Sequence, residues 1–173
     1  MKYLTRVPSV FGPLGIVWWD AEAGPRVHAV LLPGEQFPEA SPRSCPAIAE
    51  LAGKIGRSLA GEAVDFDLSL LALERCSEFQ KRVLLAEYEI PRGWVSTYGR
   101  VAEHIGCPGG ARSVGNGLAR NPFPILIPCH RAVRADGSLG GYRGGVEMKR
   151  ALLGLEGVEV AQTGKVSVDK FYY

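Results

Sequence analysis

The residue with the most chemistry around it is Cys129. It closes the run Asn121–Arg131, NPFPILIPCHR, and is followed at once by His130 and Arg131. A thiol flanked by an imidazole and a guanidinium is the setting that lowers a cysteine pKa and makes a nucleophile. The apolar triplet Ile125-Leu126-Ile127, bracketed by Pro124 and Pro128, reads as a short buried extended segment leading into it. In an extended strand, neighbouring side chains point to opposite sides. His130 therefore reaches the sulfur only if the chain turns at Cys129, or through a bridging water, and Pro128 favours the turn. Other thiol chemistries fit poorly. A tyrosine-phosphatase loop needs an arginine six positions after the cysteine, where this chain has Ala135. A cysteine protease needs a distant histidine, and His28 and His104 lie in a strand pattern and a short helix pattern with nothing to recommend either. His28 reads as structural.

The elements that must position this thiol come from two differently charged halves. Residues 1–74 hold 6 Lys+Arg and 9 Asp+Glu, and residues 75–173 hold 14 and 9. Between Arg92 and Arg150 nine basic residues, eight of them arginine, face three acidic ones, which describes a solvated basic face or a polyanion-binding half equally well. The 46% hydrophobic and 22% charged fractions over 173 residues suit one globular domain or two small ones. Cys45, Cys76, Cys107 and Cys129 show no C-x-x-C spacing, so neither a disulfide framework nor a zinc site is expected. No apolar run is long enough to span a membrane, and no secretory h-region is recognisable.

Residues 1–74 read as a small α+β domain. A hairpin pairs Gly15–Trp19 with Arg26–Leu32, a helix carries Ile48, Leu51, Ile55 and Leu59, and alternation from Val64 to Leu70 predicts a half-buried strand. A mostly helical domain occupies 75–173. Ser77-Glu-Phe-Gln80 is a capping box opening a helix with Phe79, Val83, Ala86 and Ile90 on its inner stripe. Thr97 caps a short helix ended by Gly106, and a further helix spans Ala111 to Arg120. Two short helices joined by a glycine turn are a helix-turn-helix signal, weak by itself. On the second, Ala111, Val114, Gly115 and Leu118 share one face, while Arg112, Ser113, Asn116, Ala119 and Arg120 share the other. That outward face suits DNA, or close packing on a neighbouring element. Four glycines surround Tyr142 and Arg143. A last helix runs from about Val146 to Leu155, and Glu156 at its C-terminal end, disfavoured by the helix dipole, calls for a cationic partner. The tail, 158–173, is expected to fray.

Taken in order, Thr97-Tyr-Gly-Arg-Val-Ala, Ala111-Arg-Ser-Val-Gly, Asn121 to Arg131, Gly141-Tyr-Arg-Gly-Gly and Leu152-Leu-Gly-Leu-Glu-Gly157 resemble the O6-alkylguanine-DNA alkyltransferases. The likeness covers about residues 77–157 and implies a winged-helix-like C-terminal domain. It implies irreversible, stoichiometric transfer of an alkyl group from O6 of guanine to Cys129 after nucleotide flipping. It gives His130 the role of base through a water, with Glu156 behind it. Tyr98 becomes the donor to the departing base, and Asn121 ties the cysteine loop to the DNA-binding helix. DNA contacts are expected at Thr97, Ala111, Arg112, Ser113, Asn116 and Arg120, with Arg112 filling the gap left by the flipped base. Pro124, Ala132, Tyr142 and Arg143 are expected around the base. Ala132 stands where the family usually has valine, and Arg143 where some members have a smaller residue, which narrows the pocket against bulky adducts. No cofactor or metal is implied. The partner is double-stranded DNA bearing O6-alkylguanine, no membrane is involved, and a cytoplasmic, nucleoid-associated monomer is expected. The alternative is a non-catalytic alkylated-DNA-binding protein, which leaves the Pro-Cys-His setting unexplained.

Overall fold

A computed structural model describes residues 1–173. The chain forms two compact units, Met1–Arg75 with Pro122–Leu126, and Cys76–Asn121 with Ile127–Tyr173.

The first unit is a four-stranded sheet with one helix. Its strands are β1 (Tyr3–Val7), β2 (Leu14–Ala21), β3 (Gly24–Leu31) and β4 (Ser41–Pro42), in the order β3-β2-β1-β4. The expected hairpin is β2–β3, with Glu22 and Ala23 as its loop. The unbroken apolar run Leu14–Trp18 is buried throughout. Helix α1 (Pro46–Leu59) buries Ile48, Leu51, Ile55 and Leu59, the apolar positions of its 3.6-residue period. Strand β1 was not legible beforehand, since only Leu4 and Val7 of its five residues are buried. The expected strand at 64–70 is absent. Leu68–Leu70 is a 3-10 turn capped by Asp67, whose carboxylate accepts from Ser69 N at 2.8 Å. Local Asp–Ser bonding outcompetes the ladder, and only Leu71 bridges to Val27. Residues 122–126 also differ from expectation. Ile125–Leu126 is a turn and not an extended segment, with Ile125 at φ 73. Burial alone could not separate a buried turn from a buried strand.

The second unit is mostly helical. It contains α2 (Glu78–Glu89), β5 (Ser96–Thr97), α3 (Tyr98–His104), α4 (Ala111–Ala119), β6 (Ala132–Val133) and α5 (Val146–Leu155), with β5 and β6 paired in parallel. Ser77 Oγ accepts from Gln80 N, but the Gln80 amide does not complete a capping box. It donates instead to Gly117 O and Arg120 O, closing the end of α4. The α3–α4 turn is tight enough that a Cβ on Gly110 would lie 2.6 Å from Cys107 Sγ. The tail is docked, not frayed. Val158 is buried with Val95, Val133, Leu139 and Leu153, and Val160, Val166, Val168 and Phe171 pack against them. Tyr172 N donates to Val95 O at 2.9 Å, and Ser96 Oγ donates to Tyr172 O at 2.7 Å. No helix is long and apolar enough to cross a membrane.

Candidate active site

Pro128 caps a single 3-10 turn over Cys129–Arg131, so the chain does bend where the cysteine–histidine pair requires it. The turn sends consecutive side chains to different partners. Cys129, 8% exposed, lines a cavity of about 680 Å³ formed by α3, α4 and the 134–143 loop. His130 is buried and its Nε2 lies 2.8 Å from Glu156 Oε1. Arg131 Nε donates to Glu156 Oε2 and Nη2 to Oε1, both at 2.9 Å, and Nη1 donates to Ile90 O.

Glu156 is therefore held by both His130 and Arg131, and Arg131 supplies the charge in a two-point grip. Burial works against the Glu156 carboxylate. The hydrogen bonds and charges of His130 and Arg131 outweigh it and bring the group down to about 2. Burial lowers His130 below the usual imidazole range against the pull of Glu156, so the ring is neutral. An ionised carboxylate on Nε2 fixes that nitrogen as the N–H donor. Nδ1, which has no protein partner, is left as the acceptor.

The thiol does not match its sequence setting. Burial pushes Cys129 up to about 11, and the charge of Glu87 adds to the rise. The Asn121 hydrogen bond and the charges of Lys149 and Arg143 pull the other way. The histidine and arginine beside it in sequence are committed to Glu156. The cavity thus holds a protonated sulfur that needs a base.

Tyr98 lines the cavity, and its ring sits so close to Gly140 that a Cβ there would lie 2.8 Å from the hydroxyl. Gly140, at φ 71, is the residue that approach requires. Burial, then Glu87 and Cys129, raise Tyr98 to about 12, so its hydroxyl stays a proton donor. Asn121 Nδ2 donates to Ile127 O at 3.0 Å and so holds the chain entering the cysteine turn. The face assignment of α4 is as read from its period. Val114 and Leu118 are buried, and Arg112, Ser113, Asn116, Ala119 and Arg120 are exposed. Ala111, Arg112 and Asn116 line the cavity, as do Tyr142 and Arg143, whose Nη1 donates to Asn121 O at 2.7 Å.

Three sequence-nominated residues lie elsewhere. Thr97 is buried as the α3 cap, its Oγ1 accepting from Arg100 N, so it offers no exposed DNA contact. Pro124 clusters with the first unit and does not line the cavity. Ala132 is fully buried in β6, where its N–H donates to Cys129 O and its carbonyl accepts from Lys149 Nζ at 2.6 Å. Its backbone is committed to the fold. Sequence reading also missed Lys149 and Glu87, both fully buried. Their signal was faint, a lone charge on the inner stripe of each helix.

The arrangement offers a nucleophile in a base-sized cavity, a neutral imidazole with one free nitrogen, and a phenol donor. Residues 78–158 match the family model described as the DNA-binding domain of 6-O-methylguanine DNA methyltransferase. A curated methylated-DNA–protein-cysteine methyltransferase of Methanothermobacter thermautotrophicus is 46% identical over 149 residues, covering 85% of this chain and 81% of its own length. The solved O6-methylguanine methyltransferase of Mycobacterium tuberculosis superposes with a TM-score of 0.76 at 34% identity, over 90% of this chain and 93% of that one. A structure of the M. tuberculosis protein in complex with DNA gives 0.75 at 36% identity, over 89% and 92%.

Proposed function

Because the chain belongs to the methylated-DNA–protein-cysteine methyltransferase family, we propose that it removes alkyl groups from O6 of guanine in duplex DNA by taking them onto Cys129, once per molecule. The observation that carries this reading is the split of the Cys129–Arg131 turn. The sulfur faces the cavity, while its neighbours lock a carboxylate that orients the imidazole.

The O6 atom lies within the base stack, so the nucleotide must leave the duplex to reach the sulfur. Arg112, exposed on α4 at the cavity, enters the space it vacates. Arg120 and the small outward residues Ser113 and Asn116 let the helix lie against the backbone. In the cavity the thiol proton passes through a water to His130 Nδ1, and Glu156 steadies the resulting imidazolium. Sγ then bonds to the alkyl carbon as the carbon–O6 bond breaks, and the electron pair stays with the guanine. Tyr98 donates its proton to the ring as that charge builds. The product is a thioether, which has no thiol left to regenerate, so turnover stops. No cofactor enters this scheme, and one chain holds every group it needs, which fits a monomer.

Duplex DNA carrying labelled O6-methylguanine tests the reading. Intact mass should show one methyl added per chain, mapped to Cys129, and none on Cys129→Ala. Transfer by Cys129→Ala or Cys129→Ser at the wild-type rate would remove the hypothesis. Binding with no gain in mass would instead mark a damage-binding protein without chemistry.

A further inference from the structure

Glu87 sits on the inner stripe of α2 with Val83 and Ile90, at the spacing where an apolar side chain is ordinary. It is 0% exposed, and neither carboxyl oxygen has a hydrogen-bond partner. A carboxyl in such a place costs free energy that a leucine would not, unless it acts on charged neighbours. Those neighbours belong to the cysteine site. Arg131 donates to Ile90 O, so the end of this stripe abuts the Cys129–Arg131 turn. Lys149 of α5 is also 0% exposed. Its Nζ donates to Ala132 O at 2.6 Å, Leu139 O at 2.5 Å and Gly141 O at 3.3 Å. These three carbonyls use all three N–H bonds of an ammonium, and no carboxylate touches it. The same Nζ lies 5.9 Å from the centre of the Tyr98 ring. The groups whose charge Glu87 shares are Lys149, Arg131, Cys129, Tyr98 and Tyr173.

We propose that Glu87 is a positioning residue that sets the ionisation of Cys129 jointly with Lys149. As a neutral acid it leaves the Lys149 ammonium uncompensated near the sulfur, which favours the thiolate. As a carboxylate its own charge opposes a second negative charge on the sulfur and holds the thiol. Burial pushes Glu87 up to about 8, against the charges of Lys149 and Arg131, so the change falls in mildly alkaline solution. Burial likewise brings Lys149 down to about 8, although Cys129 and Glu87 favour its charged form. Arg131 is held on both oxygens of Glu156. The consequence for repair rests on the alkyl-transfer reading. The consequence for thiol reactivity does not.

The test is the pH profile of Cys129 modification by iodoacetamide in the wild type, Glu87→Gln and Glu87→Leu. Modification is read by peptide mass so that Cys45, Cys76 and Cys107 are counted separately. Both variants should react faster at pH 8.5, by about fivefold or more, because a shift of one unit is tenfold in thiolate below the pKa. Their profiles should move to lower pH. Superimposable profiles for all three proteins overturn the proposal, as does a uniform loss of reactivity at every pH, which marks a packing role alone. Glu87→Leu, an apolar replacement, serves if Glu87→Gln folds poorly, and thermal melts report folding in each. The same proteins are then given O6-methylguanine duplex. Shifted thiol profiles with no methyl taken up by any of them would sink the transfer reading and leave the role of Glu87 standing. Methyl uptake with unshifted profiles would do the reverse.

Discussion

His130 Nε2 and Glu156 Oε1 stand 2.8 Å apart, joining the turn after Pro128 to the last residue of the α5 cap. The bond leaves the imidazole one defined free nitrogen, Nδ1. Arg131, one residue on, keeps the carboxylate charged. A buried thiol raised to about 11 has little nucleophile of its own at neutral pH, so the proposed alkyl transfer needs the base that this pair would supply.

His130→Ala should therefore lower the single-turnover rate of methyl transfer by roughly a hundredfold or more, the usual size of a general-base contribution. Glu156→Gln should lose rate too, while duplex binding stays within a few-fold of wild type. Rapid quench with labelled DNA separates these effects. Loss of binding in step with rate would contradict the relay.

The two buried carboxyls should give stability slopes of opposite sign. Glu156 is brought down from 4.5 to about 2, so its contribution is present above about pH 4.5 and is lost as pH falls through about 2. The shift corresponds to about 3 kcal/mol. Glu87 is raised from 4.5 to about 8, so its contribution is full below pH 4.5 and is lost as pH rises through about 8. Urea melts of Glu156→Gln should show a deficit against wild type that narrows toward pH 2. Glu87→Leu should show an advantage that grows from pH 5 to pH 8. Differences flat across pH would refute both.

Arg112→Ala should slow repair in duplex DNA at least tenfold, yet change transfer from free O6-benzylguanine by less than about twofold, because only the duplex requires a base to be displaced. Equal losses on both substrates would exclude the flipping role.

Deleting residues 158–173 should destabilise the second unit by several kcal/mol. It removes Val158, Val160, Val166, Val168 and Phe171 from a core that includes Val95, Val133 and Leu153. A truncated chain melting within a degree of wild type would show that the docked tail contributes nothing.

What the sequence by itself determined is whatever depends on near neighbours. The 3.6-residue period of 111–120 separates Val114 and Leu118 from Arg112 and Arg120, and the structure keeps that division. Ser77 and Thr97 announce the helix starts that they cap. Pro128 before Cys129 foretells the bend, and the ordered motifs name the family. What only the tertiary structure decided is ionisation and pairing across long separations. Arg131 finds Glu156 twenty-five residues away, and Glu87 and Lys149 come from different helices to share a buried field with the sulfur. A pKa follows burial and the charges around a group in space, so the string Cys-His-Arg suggested an ionised thiol where the fold holds a protonated one. For the same reason alternation at 64–70 gave way to an Asp–Ser turn, and the tail's scattered valines show their role only where α5 and β6 meet them.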